Sequence, residues 1–398
     1  METMQNIELT VREIIENVRK NGDSALIHYS KKFDGRILKK SELLLDVKNF
    51  AVELENIQPE ILEALKIASE NIRNYHQKQF ENITSNSLKF SQKNCDITEK
   101  ISPIQRSGVY VPGGRYSYPS TVLMTVIAAK CAGVSEILVA TPLKNLTPVV
   151  KAALYFAGAD KVLCVGGAQS IAAMAFGTDI VKKVDIIVGP GNAFVTEAKR
   201  QVFGKVGIDM LAGPSDVMIY ADETVKIDWI AADMNAQAEH DEMSKAFLVC
   251  ESSNAKILLA VKAKVMTEFL DRMEFVMRNN LADCAEYINE NAPEHLEILT
   301  QNENKQNELL AKVKNAGAIF VGEYATVAFG DYLIGPSHTL PTGLNAKFAS
   351  GLSVNTFLKK SAVMKLNKSF VSDNAKFVET IANAEGLKFH AESARIRK

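Results

Sequence analysis

The chain has 398 residues, enough for two or three domains that each bury a hydrophobic core. Hydrophobic residues make up 47% and charged residues 23% of the sequence, which is an ordinary globular composition and not that of a disordered or fibrous chain. The formal net charge is −1, so nothing indicates a basic surface for nucleic acid or for an anionic membrane.

The N-terminal part of the chain is predicted to be helical. Apolar residues recur at helical spacing from Val11 to Val18, and Gly22 is a stop signal. Pro59 opens a second helix, whose apolar face runs from Ile61 to Tyr75. The polar, poorly periodic stretch 79–101 indicates loop and edge strand.

From Ser107 onward, short β-branched runs alternate with helices rich in small residues, which is the pattern of βαβ units on a parallel sheet. Two α/β blocks with a cleft between them are expected. The predicted strands are 108–111, 136–140, 161–165, 184–188, 216–220, 246–250 and 318–321. The predicted helices are 122–132, 149–157, 169–176, 193–203, 227–239, 256–270 and 309–316, followed by a helical tail from 352.

Neither a targeting segment nor a membrane span is expected. The first residues lack a basic region followed by an apolar one. The apolar run Val122–Ala129 stops at Lys130, short of the ~18–20 residues that cross a bilayer. The five cysteines form no CxxC pair, and their odd number indicates a reducing compartment, so the sequence favours a cytoplasmic protein.

Several polar residues are candidate metal ligands. Gln237 and His240 share one face of a predicted helix, or they simply mark a helix end that meets solvent. Asp331 and His338 lie in a segment with two glycines and two prolines, which is a shaped loop or a plain turn. His390 is a further nitrogen donor near the C-terminus. Converging nitrogen and oxygen donors would suit zinc, or manganese or cobalt in its place, but spacing leaves their convergence open.

Glu294 and His295 form a candidate acid–base pair. Pro293 suits the first turn of a helix, which would place both residues near its positive end. Histidine titrates near neutral pH, which suits removal of an alcohol proton, and the neighbouring carboxylate could activate water. The alternative is a helix start with a capping acid and a surface histidine.

Three glycine turns follow predicted strands and precede predicted helices, at 112–114, 166–169 and 189–192. They are candidates for the mouth of a nucleotide cleft at the carboxyl ends of parallel strands. None is a complete GxGxxG, and Phe194 stands in place of the last glycine in the third turn, so the usual pyrophosphate grip is not predicted. Gly213–Ser215 is a fourth such turn, where the two blocks meet.

Taken together and in this order, these motifs resemble those of the histidinol dehydrogenase family. The resemblance runs from roughly residue 108 to residue 390. The blocks that carry it are Tyr110–Gly114, Val188–Asn192, Ala212–Ser215, Ala236–Asp241, Ala292–Leu296, Gly330–Tyr332, His338–Pro341 and Glu385–Leu387. Ser337 departs from the family pattern, in which an asparagine is expected before His338.

The resemblance implies a fold and a domain organisation. The fold would be two Rossmann-like α/β domains with incomplete dinucleotide motifs in an aldehyde-dehydrogenase-like arrangement. N-terminal helices and a C-terminal helical tail, exchanged in a homodimer with shared active sites, would complete it. The predicted domains are an N-terminal helical segment 1–22, a first α/β domain 23–108 and 215–351 with the metal and catalytic residues, a second α/β domain 109–214 on the NAD side, and the tail 352–398.

The resemblance also implies an activity: NAD-dependent oxidation of L-histidinol through L-histidinaldehyde to L-histidine, the last step of histidine biosynthesis. His295 would take the alcohol proton, and Glu294 would activate water. One zinc ion per subunit would be held by Gln237, His240, Asp331 and, from the partner subunit, His390. The residues implied to contact NAD are Tyr110, Gln169 and Asn192. Those implied to contact substrate are Ser215, His338, Glu385, His295 and the zinc ligands Gln237, His240, Asp331 and His390, with Glu385 also coming from the partner subunit.

Other functions remain open at this level. A relative could oxidise another small alcohol, such as a sulfonated diol, although the retained substrate residues favour the imidazole substrate. A zinc hydrolase would use Glu294 as its base and need no NAD. A non-catalytic metal- or nucleotide-binding protein is disfavoured by the intact Glu294 and His295. A cysteine-based aldehyde dehydrogenase mechanism is disfavoured because no cysteine lies near that pair in sequence.

Overall fold

The structure is a computed structural model, and it describes residues 4–92, 95–113 and 117–398. The chain divides into two compact units. Unit 1 comprises Met1–Gln77 and Ile104–Phe357, and unit 2 comprises Lys78–Pro103 and Leu358–Lys398. The finer division into four domains, made from the sequence, stays a prediction.

Helices and strands alternate along most of the described chain. The helices are α1 Met4–Asp34, α2 Lys40–Leu43, α3 Pro59–Ser85, α4 Pro119–Cys131, α5 Pro148–Ala157, α6 Gly167–Phe176, α7 Ala193–Val202, α8 Ile227–Ala238, α9 Lys256–Lys262, α10 Leu281–Asn291, α11 Glu303–Lys312, α12 Val327–Tyr332, α13 Lys368–Ala384 and α14 Lys388–Arg395. The strands are β1 Leu44–Asp46, β2 Lys89–Gln92, β3 Cys95–Pro103, β4 Arg106–Tyr110, β5 Glu136–Ala140, β6 Lys161–Leu163, β7 Ile186–Val188, β8 Gly207–Ile208, β9 Asp216–Ala221, β10 Lys245–Glu251, β11 Met273–Arg278, β12 His295–Leu299, β13 Ala318–Val321 and β14 Leu358–Leu366. No helix in the described ranges has both the length and the apolar character needed to cross a bilayer.

The first sheet of unit 1 has the strand order β1-β6-β5-β4-β7-β8. Strands β4 to β8 run parallel to their neighbours, and β1 is antiparallel to β6. Helices α1, α6 and α7 pack together and bury one face of the sheet, with small side chains such as Ala172 and Ala173 in the interface. Strands buried on both faces read as continuous apolar runs, as 137–140 does. The parallel sheet predicted for the first α/β block is confirmed.

The second sheet of unit 1 has the strand order β11-β10-β9-β12-β13, and every pairing in it is parallel. Successive side chains of a strand point to opposite faces. In β9, Val217 and Ile219 therefore pack with α8 and α9, whereas Met218 and Tyr220 pack with α10 and α11. The second predicted α/β block is confirmed.

The prediction that Glu294 and His295 begin a helix is wrong. Helix α10 ends before them, at Asn291, and Ala292 has a left-handed φ of 42°, which turns the chain out of the helix. His295 is the first residue of β12, whose five residues are all buried. A buried strand between β9 and β13 satisfies this backbone, so the alternative of a surface histidine is also wrong.

Two other predicted helices are wrong in part. The helix predicted for 256–270 ends at Lys262, and the edge strand β11, absent from the sequence prediction, follows it. In the tail predicted to be helical from 352, a single 3₁₀ turn, Val354–Phe357, is followed by β14, which pairs along its length with β3. The tail becomes helical at Lys368, where the side chain of Asn367 caps α13 by accepting the N–H of Phe370.

Unit 2 has an antiparallel sheet of order β14-β3-β2 and the two helices α13 and α14, which pack on each other. These helices leave large apolar side chains exposed. Phe377 is 59%, Ile381 62% and Phe389 89% exposed. An apolar group of this size on a small unit is typical of an interaction surface.

Candidate active site

The candidate residues of unit 1 lie at the edges of its two sheets. Tyr110 ends β4, and the turns Gly166–Gly167 and Gly189–Asn192 follow β6 and β7, so these groups occupy the carboxyl edge of the first sheet. Asp216 begins β9 and His295 begins β12, so these residues occupy the amino edge of the second sheet. The two edges present different chemistry: mainly backbone turns at one, and ionisable side chains at the other.

Glu294 and His295 are both anchored by Asp216. The N–H of Glu294 donates to Oδ1 of Asp216 at 2.7 Å, and the N–H of Asp216 donates to Oε2 of Glu294 at 3.3 Å. Nδ1 of His295 lies 3.2 Å from the carbonyl oxygen of Asp216. The parallel pairing of β9 with β12 brings these residues side by side. Asp216 was not singled out from the sequence, where its only signal is a carboxylate at the start of an apolar strand.

Asp331 and His338 lie on the other side of the imidazole of His295. Nε2 of His295 lies 3.7 Å from Oδ1 of Asp331 and has no hydrogen-bond partner among the described residues. Nδ1 of His338 donates to the carbonyl oxygen of Asp331 at 3.0 Å, and Nε2 of His338 lies 3.2 Å from Oγ1 of Thr121. Because Thr121 is in α4, which follows β4, His338 connects the two edges.

The loop that carries His338 is shaped by short-range hydrogen bonds. Ser337 is buried, and its Oγ accepts the N–H of Thr339 at 3.2 Å. An asparagine side chain can close the same kind of turn. The departure from the family pattern at Ser337 is therefore compatible with the observed loop.

Gln237 and His240 lie at the end of α8. Gln237 is buried, and its Nε2 donates to Oγ of Ser215 at 2.9 Å. His240 follows the helix and is exposed, and its N–H donates to the carbonyl oxygen of Gln237 at 3.3 Å. The structure thus brings Ser215 and Gln237 together at the start of β9.

Burial, together with the charges of neighbouring groups, shifts the pKa values of Glu294, His295, Asp331 and His338. Burial raises the pKa of Glu294 to about 7, and the charge of His295 and a hydrogen bond from Ser215 offset part of that rise. Burial by itself lowers the pKa of His295, but the carboxylates of Glu294 and Asp331 outweigh it and raise the pKa to about 9. Burial opposes ionisation of Asp331, yet the adjacent imidazole of His295 and the imidazoles of His338 and His240 lower its pKa. Burial lowers the pKa of His338.

The donor set of unit 1 fits a zinc ion chemically. Because Nε2 of Gln237 is engaged by Ser215, its Oε1 is the atom left to face an ion. Together with the imidazole of His240 and the carboxylate of Asp331, it makes a mixed nitrogen and oxygen set of the kind that zinc accepts. The acidic groups around His295 favour a cation at this edge. Within the described ranges no cluster of three or more His, Cys, Asp or Glu side chains is placed to hold a metal.

The glycine turns at the first edge are partly occupied by internal hydrogen bonds. The hydroxyl of Tyr110 accepts the N–H of Gly167 at 3.1 Å, and Gln169 is buried in the first turn of α6. Oδ1 of Asn192 caps α7 by accepting two N–H groups of its first turn, both at 3.1 Å. That cap leaves the amide nitrogen of Asn192 to face a ligand. Gly114 of the predicted turn 112–114 lies outside the described residues.

A buried ion pair fixes the turn that begins at Gly189. This residue has a φ of 108°, and a Cβ atom there would lie 2.2 Å from the carbonyl oxygen of Tyr110. Its N–H donates to Oδ2 of Asp209 at 2.7 Å, and Nζ of Lys199 donates to its carbonyl oxygen at 2.9 Å. Lys199 and Asp209 pair with each other, and their side chains are only 2% and 1% exposed. Sequence analysis missed this pair, whose signal is a lysine on the apolar stripe of α7.

Glu385 and His390 lie in unit 2. Glu385 follows α13 as its C-cap residue, and His390 lies in α14. Both side chains are exposed. The other predicted site residues all belong to unit 1.

Comparison with solved structures defines the fold class. An aldehyde dehydrogenase from Physcomitrella patens matches with a TM-score of 0.51 at 11% identity, over 81% of this chain and 85% of that chain. The mixed α/β fold therefore has neighbours in the aldehyde-dehydrogenase-like group. A crystal structure of histidinol dehydrogenase from Elizabethkingia anophelis matches with a TM-score of 0.90 at 32% identity, over 100% of this chain and 92% of that chain.

Sequence comparison defines the family. The family model described as histidinol dehydrogenase matches residues 1–398. A histidinol dehydrogenase from Methanococcus maripaludis is 43% identical over 98% of this chain and 92% of its own length. Another, from Aquifex aeolicus, is 41% identical over 99% of this chain and 93% of its own length. The chain belongs to the histidinol dehydrogenase family, a family of oxidoreductases.

Proposed function

We propose that the protein oxidises L-histidinol to L-histidine through L-histidinaldehyde with NAD and zinc, as the last step of histidine biosynthesis in the cytoplasm. The alcohol and NAD⁺ give the aldehyde, NADH and a proton. The aldehyde, water and a second NAD⁺ give the carboxylate, NADH and two protons. The observation that carries this proposal is a buried imidazole and a buried carboxyl group on adjacent residues, His295 and Glu294, both anchored by Asp216.

His295 would accept the proton of the alcohol through Nε2. A carbonyl oxygen can only accept a hydrogen bond, so the contact with Asp216 keeps a proton on Nδ1. Nε2 is then the nitrogen that gains and loses a proton. Among the described residues this atom has no hydrogen-bond partner, so it is available to a substrate hydroxyl.

Glu294 would activate the water that attacks the aldehyde. Its pKa of about 7, raised by burial, suits a general base that works near neutral pH. Its Oε2 lies 3.6 Å from Nδ1 of His295, so the groups for the two half-reactions lie side by side. The same substrate carbon can then meet both groups without leaving the site.

The zinc ion, when bound, would act as a Lewis acid and template that fixes the substrate for reaction. Its proposed ligands are Gln237, His240, Asp331 and His390 of the partner subunit. Ser215, His338 and Glu385 of the partner subunit would contact the substrate. The bond from Gln237 to Ser215 supports this grouping, because it ties a proposed ligand to a proposed substrate contact.

NAD, when bound, would accept the hydride. Tyr110, Gln169 and Asn192 would contact it at the carboxyl edge of the first sheet. The incomplete glycine motifs predict a grip by side chains and individual backbone groups. The amide nitrogen of Asn192, which the helix cap does not use, and the buried Gln169 are compatible with that mode.

A homodimer with shared sites would deliver Glu385 and His390. The proposal is supported by the exposure of both residues and by the apolar side chains exposed on the same helices, Phe377, Ile381 and Phe389. In a two-fold symmetric dimer each subunit would contribute its tail to the site of the other.

The assay that tests this function measures NADH released from L-histidinol by the zinc-loaded protein. We expect two NADH per L-histidinol, with L-histidine as product. Glu294→Gln should slow oxidation of supplied L-histidinaldehyde by about 10²- to 10⁴-fold, the usual range for loss of a general base, and the alcohol step less. A wild-type protein that oxidises another alcohol, such as a sulfonated diol, but not L-histidinol would refute the proposal. Turnover in buffer without NAD would indicate a hydrolase.

A further inference from the structure

Asp216 contacts both residues to which the proposed mechanism assigns proton transfer, Glu294 and His295. It is the first residue of β9, and its side chain is partly buried beside the start of β12. Three of its groups face the acid–base pair: the carboxylate, the main-chain N–H and the main-chain carbonyl. The preceding residue, Ser215, receives the side chain of Gln237. The segment 215–216 therefore contacts both the acid–base pair and Gln237, the proposed zinc ligand on α8.

The bonds between Asp216 and Glu294 are reciprocal. The side chain of Asp216 fixes the backbone of Glu294, with 2.7 Å between N and Oδ1. The backbone of Asp216 fixes the side chain of Glu294, with 3.3 Å between N and Oε2. Two such bonds define both the position of the Glu294 main chain and the direction of its carboxylate. Positioning of this kind matters because a 1 Å displacement of a catalytic group can cost about 10²-fold in rate.

The third bond defines the tautomer of His295. The carbonyl oxygen of Asp216 requires a donor, so Nδ1 of the neutral ring carries the proton and Nε2 carries the lone pair. Nε2 is the nitrogen that faces Asp331. Asp216 therefore determines which nitrogen of His295 can act as a base.

We propose that Asp216 is a positioning residue that aims Glu294 at water and holds His295 in its Nδ1–H tautomer. This inference rests on the proposed function, since it assigns Asp216 a part in the same reaction. Its side chain contacts Glu294 but not His295, whereas its backbone contacts both Glu294 and His295. Loss of the side chain should therefore affect the aldehyde step, which needs Glu294, more than the alcohol step, which needs His295.

The kinetic test uses three variants in the zinc-loaded protein and assays the two half-reactions separately. Asp216→Ala should slow oxidation of supplied L-histidinaldehyde by roughly 10- to 100-fold and the alcohol step by less. Asp216→Asn keeps an Oδ1 acceptor for the N–H of Glu294 and should recover most of that loss. Asp222→Asn is the matched control. It changes a buried aspartate just beyond the other end of β9 and should leave the ratio of the two half-reactions at its wild-type value.

A double-mutant cycle with Glu294→Gln separates positioning from general destabilisation. If Asp216 acts through Glu294, adding Asp216→Ala to Glu294→Gln should slow the aldehyde step by less than threefold more, because the residue to be aimed is already inactive. A fully multiplicative loss, or an equal loss in both half-reactions with no rescue by asparagine, would overturn the assignment.

The tautomer can be read without any turnover. Nitrogen NMR of His295, recorded at a pH above its pKa so that the ring is neutral, should show the proton on Nδ1 in both wild-type protein and Asp216→Asn. An Nε2–H tautomer would refute the inference even in a fully active enzyme. If wild-type protein failed to oxidise L-histidinol yet showed the Nδ1–H form, the proposed function would fail and the anchoring of His295 by Asp216 would stand.

Discussion

The two parallel sheets of unit 1 contribute opposite edges to the proposed site. The first sheet contributes its carboxyl edge, where turns follow β4, β6 and β7. That is the edge at which open α/β sheets usually bind ligands. The second sheet contributes its amino edge, where Asp216 begins β9 and His295 begins β12. In the proposed function the same architecture thus provides backbone turns for the cofactor at one edge and ionisable groups for chemistry at the other.

The carboxyl edge of the second sheet is closed by its own side chains. The hydroxyl of Tyr220 donates to Glu251 at 2.9 Å, and Nζ of Lys305 donates to the same carboxylate at 2.8 Å. The buried Asp222 accepts from the hydroxyl of Thr300 at 2.7 Å. Internal partners occupy the groups that a ligand would use there. Polar groups at this edge are engaged with one another, whereas Nε2 of His295 at the amino edge has no hydrogen-bond partner among the described residues.

The largest effect that we expect at the amino edge of the second sheet comes from removing a proposed zinc ligand. His240→Asn should reduce zinc content after dialysis from one ion per chain to almost none and abolish activity. A direct ligand should cost more than the roughly 10- to 100-fold in affinity that outer partners cost. Stability of the metal-free protein should hardly change, because His240 is exposed. Metal analysis and thermal unfolding check both statements.

The matched control for that variant is His28→Asn, which changes another exposed histidine, in α1. It should keep its zinc and its activity. A His240→Asn protein that retained zinc and full turnover would remove His240 from the site. It would also contradict the proposal that the amino edge of the second sheet holds the metal.

At the carboxyl edge of the first sheet the main effect should be on stability. Lys199→Met leaves Asp209 buried without its partner, which typically costs about 3–5 kcal/mol in the free energy of unfolding. The turn at Gly189 also loses a hydrogen bond to its carbonyl oxygen, so the KM for NAD should rise more than kcat falls. Chemical denaturation and steady-state kinetics check these effects.

The double variant Lys199→Met with Asp209→Asn should regain much of that stability, because no unpaired charge remains buried. Lys264→Met, which breaks an exposed pair with Asp228, should cost far less. Equal losses for the buried and the exposed lysine would contradict the view that charges at the first edge hold the backbone and do not serve chemistry.

Most strands of both sheets could be predicted from the sequence, but others, among them β11 and β12, could not. Apolar runs such as 137–140 and 217–221 identify buried strands because a parallel sheet is covered on both faces. The edge strand β11 was missed because Met273–Arg278 is only partly buried and carries charged residues. Pro293 suggested a helix start, but α10 ends before it and Ala292 turns the chain away from the helix. The residues from His295 onward form a strand because they pair with β9 and β13, which are distant in sequence.

Some residues of the candidate site could be identified from the sequence, and others could not. Family resemblance named Glu294, His295 and Asp331, and the structure places them together. Asp216 escaped because two of its three contacts use the backbone, which no sequence pattern encodes. Lys199 escaped because its role depends on Asp209, which reaches it only through the fold. Local periodicity reports burial, whereas these contacts depend on which strands become neighbours.

A smaller effect, on stability, is expected from substitution of Glu297, which lies two residues after His295 in β12. Its side chain is fully buried, with Oε1 accepting the N–H of Val327 at 2.8 Å and Oε2 without a hydrogen-bond partner among the described residues. Burial raises its pKa, the nearby Asp233 of α8 raises it further, and the charge of His295 on its own strand partly opposes both. The bond to Val327 ties Glu297 to α12, the helix that carries Asp331, since Val327 begins that helix.

Glu297→Gln should stabilise the protein increasingly as the pH rises. A carboxyl group whose pKa is raised in the folded state holds a proton that the unfolded chain releases above about 4.5, so folding of the wild-type protein loses free energy as pH increases from there until it passes the raised pKa. Glutamine keeps the acceptor for Val327 and carries no proton to lose, so the gain should be near zero at pH 4 and about 1 kcal/mol or more at pH 8. Denaturation at both pH values measures it. The exposed Glu308→Gln serves as the control and should show no such trend. An equal gain at both pH values would mean that the effect of the substitution comes from packing alone. The ionisation of Glu297 would then make no contribution to the free energy of unfolding.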